Sequence, residues 1–224
     1  PLPPAFMSHT RVDVQALRRC TTYDGLVEGT RGSIYHDALE RLRSADGALP
    51  DYGVTEALLN GVYYQKLQSI IRRKYDGDVR RIMEKSVGSQ VDMLNLMHIL
   101  RMKRYFPQED NYLPVLLPYH YKLKPQMIHA MCAAPNAEAV LELAQQTPYG
   151  RIFDQHSGED LNYLYTATIY RTSRRQLMMG KPSIYSAVAL MNLREIELKA
   201  VVSAVEAAKY QMALNPSILD MMDR

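Results

Sequence analysis

The residues of this chain that could carry chemistry are few, and their spacing matches no catalytic motif. His36-Asp37 and Glu40 place three potential metal ligands close together on one predicted helix. Acidic residues also favour the first turn of a solvated helix, so we expect no metal there. In Gly180-Lys181-Pro182, the only Gly-Lys pair, the proline removes an amide that a phosphate-binding loop would need. The sequence therefore predicts no catalytic site, no cofactor and no metal.

A line of polar residues on an otherwise apolar helix is the most specific local feature. Asp92, Asn95 and Arg101 recur among leucines and methionines. We expect Ser89 to cap this helix with Asp92 at the reciprocal capping position. The other polar side chains then form hydrogen bonds between helices, which can fix helix register. A role in coupling neighbouring helical units is the functional alternative.

The composition is that of an ordinary globular protein. Of 224 residues, 47% are hydrophobic and 23% are charged, which excludes global disorder. A net charge of +3 and two cysteines argue against a strongly basic protein and against a disulfide framework. No run approaches the roughly 20 apolar residues of a membrane span. The chain begins at Pro1 rather than Met, so we expect a preceding region to be missing.

The spacing of apolar residues is helical almost throughout, which predicts an all-α fold. A long helix is expected over Val54–Tyr75, spanning about 33 Å. We expect a turn at Thr21–Gly25 to end a helix that runs to about Cys20, and a break between two helices at Gly88-Ser89. Only Tyr112–Leu117 could be a strand, and its prolines argue against one. Further helices are predicted over residues 126–133, 136–146, 159–179 and 183–214.

A weak internal repeat indicates two units in tandem. Thr21 and Tyr23 recur as Thr147 and Tyr149 at the same spacing, each pair after a short amphipathic helix. A Tyr-containing helix and then an apolar helix follow in both copies, and Glu197 in the second corresponds to Asp92 in the first. We therefore predict a first helical unit over residues 1–106, a proline-rich connection over 107–125 and a second helical unit over 126–224.

The order of these motifs resembles the C subunit family of the V-type ATPase/ATP synthase, the equivalent of the d subunit in the eukaryotic enzyme. Ala200 departs from the family pattern, where asparagine is expected. The resemblance covers essentially the whole chain. It is carried by Leu17–Leu26 and the second copy around Thr147–Tyr149, by Val91–Leu96 with Ile99–Lys103, and by Leu193–Lys199.

The resemblance implies a non-catalytic component of the central stalk. Such a rotor component links the central shaft to the membrane proteolipid ring and transmits torque for proton or sodium transport. It implies tandem helical units in a curved, funnel-wall-like arrangement, of which this chain holds the last two of three. It also implies a peripheral location on the cytoplasmic face of the membrane. From the polar line and the repeat, we expect Asp92, Asn95, Arg101 and Glu197 to be structural polar positions.

Two other functions stay open at this stage. The basic residues from Arg72 to Lys85, continued by Arg101–Arg104, could belong to a helical adaptor or to a module that binds nucleic acid. No recognised nucleic-acid motif accompanies them, so we expect no nucleic-acid partner. An enzyme whose site is assembled from residues distant in sequence is the third alternative.

Overall fold

Helices account for all the regular structure that could be described. The computed structural model describes residues 12–44, 48–108, 111–153, 161–179 and 181–212. Within these ranges there is no strand, which confirms the all-α fold class. The α-helices, in chain order, are α1 Val14–Arg19, α2 Tyr23–Gly29, α3 His36–Arg41, α4 Tyr52–Lys74, α5 Gly77–Tyr105, α6 Pro125–Ala133, α7 Ala137–Gln145, α8 Gly150–Phe153, α9 Leu161–Met179 and α10 Ile184–Tyr210.

Side-chain caps fix several of the helix starts. Asp13 precedes α1 and accepts a hydrogen bond from the amide of Ala16 at 2.9 Å. Asn136 does the same for α7, with the amide of Ala139 at 2.9 Å. These contacts satisfy amides that have no partner within the first turn of a helix. The long helix predicted over Val54–Tyr75 is α4, so its strong apolar spacing located it to within two residues.

The break predicted at Gly88-Ser89 is wrong, because α5 runs through both residues without interruption. Gly88 instead allows another side chain to pack closely against the helix. A Cβ atom at this position would lie only 2.5 Å from Cγ of Tyr121, so the missing side chain makes room for the tyrosine ring. Ser89 is buried in the helix interior and caps nothing. The expected capping role of Asp92 is wrong for the same reason.

The helix predicted to end before Thr21 does end at Arg19, but the turn predicted at Thr21–Gly25 is wrong, since α2 begins at Tyr23. The hydroxyl of Thr22 accepts a hydrogen bond from the amide of Gly25 at 3.1 Å and so starts the helix. Tyr23 is buried, and its hydroxyl donates to the carbonyl of Leu39 at 2.8 Å. Two glycines in seven residues obscured this helix in the sequence.

The described part of the proline-rich stretch has little regular structure but contributes to the core. A short 3-10 helix, Leu113–Val115, stands where the sequence offered its only candidate strand. Tyr112, Leu117 and Leu123 are buried. Four prolines keep this stretch from forming a regular helix, while its apolar residues still pack.

The chain divides by packing into two compact units. The first contains the described residues as far as Ile70 together with Asn111–Tyr119, so the division falls within α4. Its core is built around Tyr23, Val27 and Leu39. The division predicted from the internal repeat, with a connection at residues 107–125, is of a different kind from this division by packing. It remains a prediction.

The second unit contains Ile71 onwards except for Asn111–Tyr119. Its centre is α5, whose middle turns are buried on several sides. The helices α7 and α9 both pack against α5, and α10 packs against α9. The amide of Asn192 on α10 donates to the hydroxyl of Ser173 on α9 at 3.3 Å, one polar contact in that helix pair.

Candidate functional site

The candidate site is centred on a buried carboxylate in the second unit. Asp92 lies in the middle of α5, and its exposed fraction is 0%. Burying a carboxylate costs free energy unless hydrogen bonds replace the lost water. A carboxylate in such a position must therefore have several hydrogen-bond donors around it.

Four donors surround the Asp92 side chain. Oδ1 accepts from the amide of Tyr121 at 2.8 Å. Oδ2 accepts from the amides of Lys122 at 2.6 Å and Leu123 at 3.1 Å, and from the hydroxyl of Tyr149 at 2.6 Å. We call this set of contacts the Asp92 clamp. It ties the middle of α5 to two segments that follow it by 29 to 31 and by 57 residues.

The backbone of Tyr121–Leu123 can supply three amides because it lies between helices. Within a helix those amides would be bonded to carbonyls one turn earlier. Tyr121 also places its ring over Gly88, one turn before Asp92 on the same face of α5. Gly88 and Asp92 thus hold one segment by two different means, close packing and hydrogen bonding.

Tyr149 reaches Asp92 from the start of α8. The hydroxyl of Thr147 accepts from the amide of Tyr149 at 3.2 Å and donates to the carbonyl of Ala144 at 2.6 Å, so the turn before the tyrosine is fixed. Burial, and then the hydrogen bond to Asp92, raise the pKa of the Tyr149 hydroxyl well above its ordinary value. Tyr149 therefore remains a donor at every physiological pH.

The clamp is suited to holding structure rather than to a reaction. All four of its donors are committed to one carboxylate that is closed to solvent. A general base needs access to the proton that it removes. The arrangement instead satisfies a buried charge and fixes the position of two later segments on α5.

The other predicted polar positions lie in different surroundings. Asn95 is buried one turn beyond Asp92, and Arg101 is half-buried nearer the end of α5. Glu197 is half-exposed on α10, where it pairs with Arg194 at 2.5 Å. Asp92, Asn95 and Arg101 thus lie on one helix, whereas Glu197 forms a surface ion pair on another. A shared role for the four residues remains a prediction.

The tyrosines of the repeat have similar burial and different partners. Tyr23 and Tyr149 are both buried and both follow a short helix, with a threonine hydroxyl accepting from a nearby amide. Tyr23 donates to a backbone carbonyl, whereas Tyr149 donates to a carboxylate. Sequence comparison singled out Tyr149 but not its contact with Asp92, because no local spacing relates residues so far apart.

The possible metal ligands on α3 make other contacts. Nδ1 of His36 lies 3.0 Å from the carbonyl oxygen of Val27, and Glu40 pairs with Arg43 at 3.3 Å. No cluster of three or more potential ligands was found in the part of the chain that the structure describes. Nor is any helix there long and apolar enough to cross a membrane.

An apolar cavity of about 580 Å³ lies in the first unit. Leu17, Leu39 and Leu59 line it, together with the hydroxyl-bearing Thr30 and Thr55. Both hydroxyls donate to backbone carbonyls, at 2.7 Å in each case. The cavity therefore has few polar groups that could orient a ligand.

A group of positive charges lies beside the clamp. Partial burial lowers the pKa of the Lys85 amino group, and the charges of Lys122, Arg175 and Arg81 lower it further. These residues come from α5, from the segment held by Asp92 and from α9. Among the described residues Lys85 forms no ion pair, whereas Arg81 pairs with Asp78 at 2.8 Å.

Comparison with known proteins agrees with the resemblance seen in the sequence. The family model described as ATP synthase (C/AC39) subunit matches residues 1–215. The chain belongs to this family. No solved structure gives a significant match.

Curated relatives are named as C subunits of A-type ATP synthases. The C subunit of the A-type ATP synthase of Methanosphaera stadtmanae is 25% identical over 202 residues, covering 84% of this chain and 50% of that protein. The protein of the same name from Methanosarcina barkeri is 28% identical over 158 residues, covering 70% of this chain and 41% of that protein. The chain thus spans about half the length of the curated relatives it matches.

Proposed function

We propose that this chain is a non-catalytic rotor subunit of an A/V-type ATP synthase, peripheral to the cytoplasmic face of the membrane. It joins the central shaft to the proteolipid ring and passes torque between them. The observation that carries the proposal is the family match over residues 1–215. The designation of the relatives as C subunits of A-type ATP synthases supports the same assignment.

The packing of the second unit suits a part that transmits force. Close-packed helices deform little under load, because their side chains have few alternative arrangements. The Asp92 clamp adds contacts of long sequence separation that prevent two segments from sliding along α5. A protein with this role needs stiffness and defined surfaces rather than a reactive group.

Removal of this protein from the complete enzyme tests the proposal. Cells lacking the gene should retain ATP hydrolysis in the soluble sector but lose ATP-driven ion uptake into membrane vesicles. Expression of the native protein should restore uptake. If hydrolysis by the isolated soluble sector is abolished as well, the non-catalytic assignment is contradicted.

The positive charges around Lys85 are the observation that would favour a nucleic-acid module instead. Binding of that kind depends steeply on salt, because counterions are released from the phosphates. We expect no binding of duplex or single-stranded oligonucleotides at physiological ionic strength. Tight and salt-sensitive binding that is lost in Lys85→Met would support the alternative.

A further inference from the structure

Positive side chains from three separate elements come together on the surface of the second unit. Lys85 lies on α5, Lys122 lies in the segment that Asp92 holds, and Arg175 lies on α9. All three are exposed, and we call them the Lys85 cluster. Like charges that are brought together repel one another, which costs free energy unless an opposite charge is near. The cluster is therefore a surface that favours an anion.

The contacts of the clamp fix the position of Lys122 relative to Lys85. Lys85, Gly88 and Asp92 are three and four residues apart, so they lie along one face of α5. Tyr121 packs its ring on Gly88, and the amide of Lys122 donates to Asp92 at 2.6 Å. Nζ of Lys122 lies 5.9 Å from the centre of the Tyr121 ring. The backbone that carries Lys122 is thus held on the face of α5 that bears Lys85.

The third cation approaches from α9, which packs against α5. Partial burial lowers the pKa of the Lys85 amino group, and the charges of Lys122, Arg175 and Arg81 lower it further. Arg81 is paired with Asp78, whereas neither Lys85 nor Lys122 forms an ion pair within the described residues. Every charge that shifts the pKa of Lys85 is positive, so an added anion would relieve this repulsion.

We propose that the Lys85 cluster binds a terminal phosphate group, either free in solution or as the headgroup of a lipid. Such a group carries a charge of about −1.5 to −2 at pH 7 and three acceptor oxygens. Three cations from three elements can each donate to a different oxygen. The guanidinium of Arg175 has five N–H donors, so it can bind phosphate and keep another contact. A single carboxylate would offset only one of the three charges.

The charge of the cluster also separates a terminal phosphate from a phosphodiester. A phosphodiester, as in nucleic acids or phosphatidylglycerol, carries one negative charge and leaves two free oxygens. It would leave most of the positive charge of the cluster without a counterpart. Tight binding of nucleic acid also requires contacts to several successive phosphates. The proposal is therefore consistent with the expected absence of oligonucleotide binding.

The fold reduces the cost of bringing the three cations together. Exposed ion pairs are individually weak, partly because two long side chains must be ordered for each pair. Here the clamp and the packing of α9 on α5 already hold the three backbones in place. A ligand has only side chains to order, which favours binding. The inference does not rest on the proposed rotor function, since it uses only one surface of the second unit.

Titration calorimetry of the full-length protein with glycerol 3-phosphate, a soluble phosphomonoester, tests the free form of the ligand. At constant ionic strength we expect saturable binding of one molecule per chain. Dimethyl phosphate, a phosphodiester, should bind more weakly by on the order of tenfold or more. Lys122→Met and Arg175→Met should each weaken binding on the order of tenfold. Lys66→Met is the matched control, because Lys66 is an exposed lysine on α4 outside the cluster, and it should leave binding unchanged.

Sedimentation with phosphatidylcholine vesicles tests the lipid form. One set of vesicles contains phosphatidic acid, whose phosphate is a monoester, and a second set contains phosphatidylglycerol at the same fraction. Binding to phosphatidic acid without binding of glycerol 3-phosphate would assign the site to a lipid headgroup, and binding of both would show that the phosphate group is sufficient. Circular dichroism confirms that each variant is folded.

Three results would overturn the proposal. The first is a lack of binding in both the soluble and the vesicle experiment. The second is equal binding of monoesters and diesters, which would indicate attraction to negative charge in general. The third is binding that persists unchanged in both Lys122→Met and Arg175→Met, because the ligand would then lie elsewhere on the protein.

Discussion

At the scale of single residues, Asp92 holds two later segments of the second unit against α5. Its carboxylate accepts from three backbone amides and one phenol while fully buried. Removing one partner of such a group leaves the others without hydrogen bonds and without water. Substitution of Asp92 should therefore lower the free energy of unfolding by more than the contribution of any single hydrogen bond.

The variant Asp92→Asn tests the clamp with almost no change of shape. An amide NH₂ would replace one acceptor and face donors, so we expect the free energy of unfolding to fall by about 3 kcal/mol. Urea denaturation measures this change. Asp78→Asn on the same helix is the control, because its ion pair with Arg81 is largely exposed and should contribute less than about 1 kcal/mol. Equal effects of the two substitutions would contradict the clamp.

Tyr149→Phe removes a single hydroxyl from the clamp. The variant should lose about 1–3 kcal/mol of stability, because one acceptor site on Asp92 is left empty. Tyr105→Phe is the control, since Tyr105 is exposed. A loss in Tyr149→Phe no larger than in the control would argue against the contact.

The same tyrosine predicts a dependence on alkaline pH. Burial and the bond to Asp92 raise the pKa of Tyr149 in the folded state, while the unfolded chain has the ordinary value of about 10. Above that pH the unfolded chain releases a proton that the folded chain keeps, so the stability of the fold decreases as pH rises. Urea midpoints measured at increasing pH should decline more steeply for the native protein than for Tyr149→Phe. Parallel declines would contradict the contact.

At the scale of elements, α5 shows what the sequence could and could not predict. The apolar residues of α5 predicted a helix around Asp92. The apolar spacing of the preceding helix, α4, located α4 to within two residues. Gly88 suggested a break because glycine is a poor helix former. The Tyr121 ring that requires Gly88 comes from a segment without periodic spacing, so local pattern could not reveal it. The donors to Asp92 were hidden for the same reason.

Gly88→Ala separates helix propensity from packing. Alanine favours an isolated helix by about 1 kcal/mol, yet its Cβ would meet the Tyr121 ring. We expect a net loss of about 1–3 kcal/mol in the free energy of unfolding. In a Tyr121→Ala background the same change should be neutral or stabilising. An equal loss in both backgrounds would show that the ring is not the reason for glycine.

At the scale of the whole molecule, family membership and the internal packing both support the proposed rotor subunit. The chain belongs to the ATP synthase (C/AC39) subunit family, and the order of its motifs in the sequence was sufficient to predict this. The residues that contact partner subunits could not be predicted in the same way. An apolar contact surface on a helix has no sequence signature that separates it from a core face until the fold shows which face is covered.

The central claim is that the chain joins the shaft to the proteolipid ring, and co-purification tests it most directly. The full-length protein would be tagged in its native cell, membranes solubilised gently in detergent, and the bound proteins identified by mass spectrometry. The rotor account predicts recovery of the proteolipid together with the proteins of the central shaft. Recovery of neither, from membranes in which the rest of the ATP synthase is intact, would contradict it.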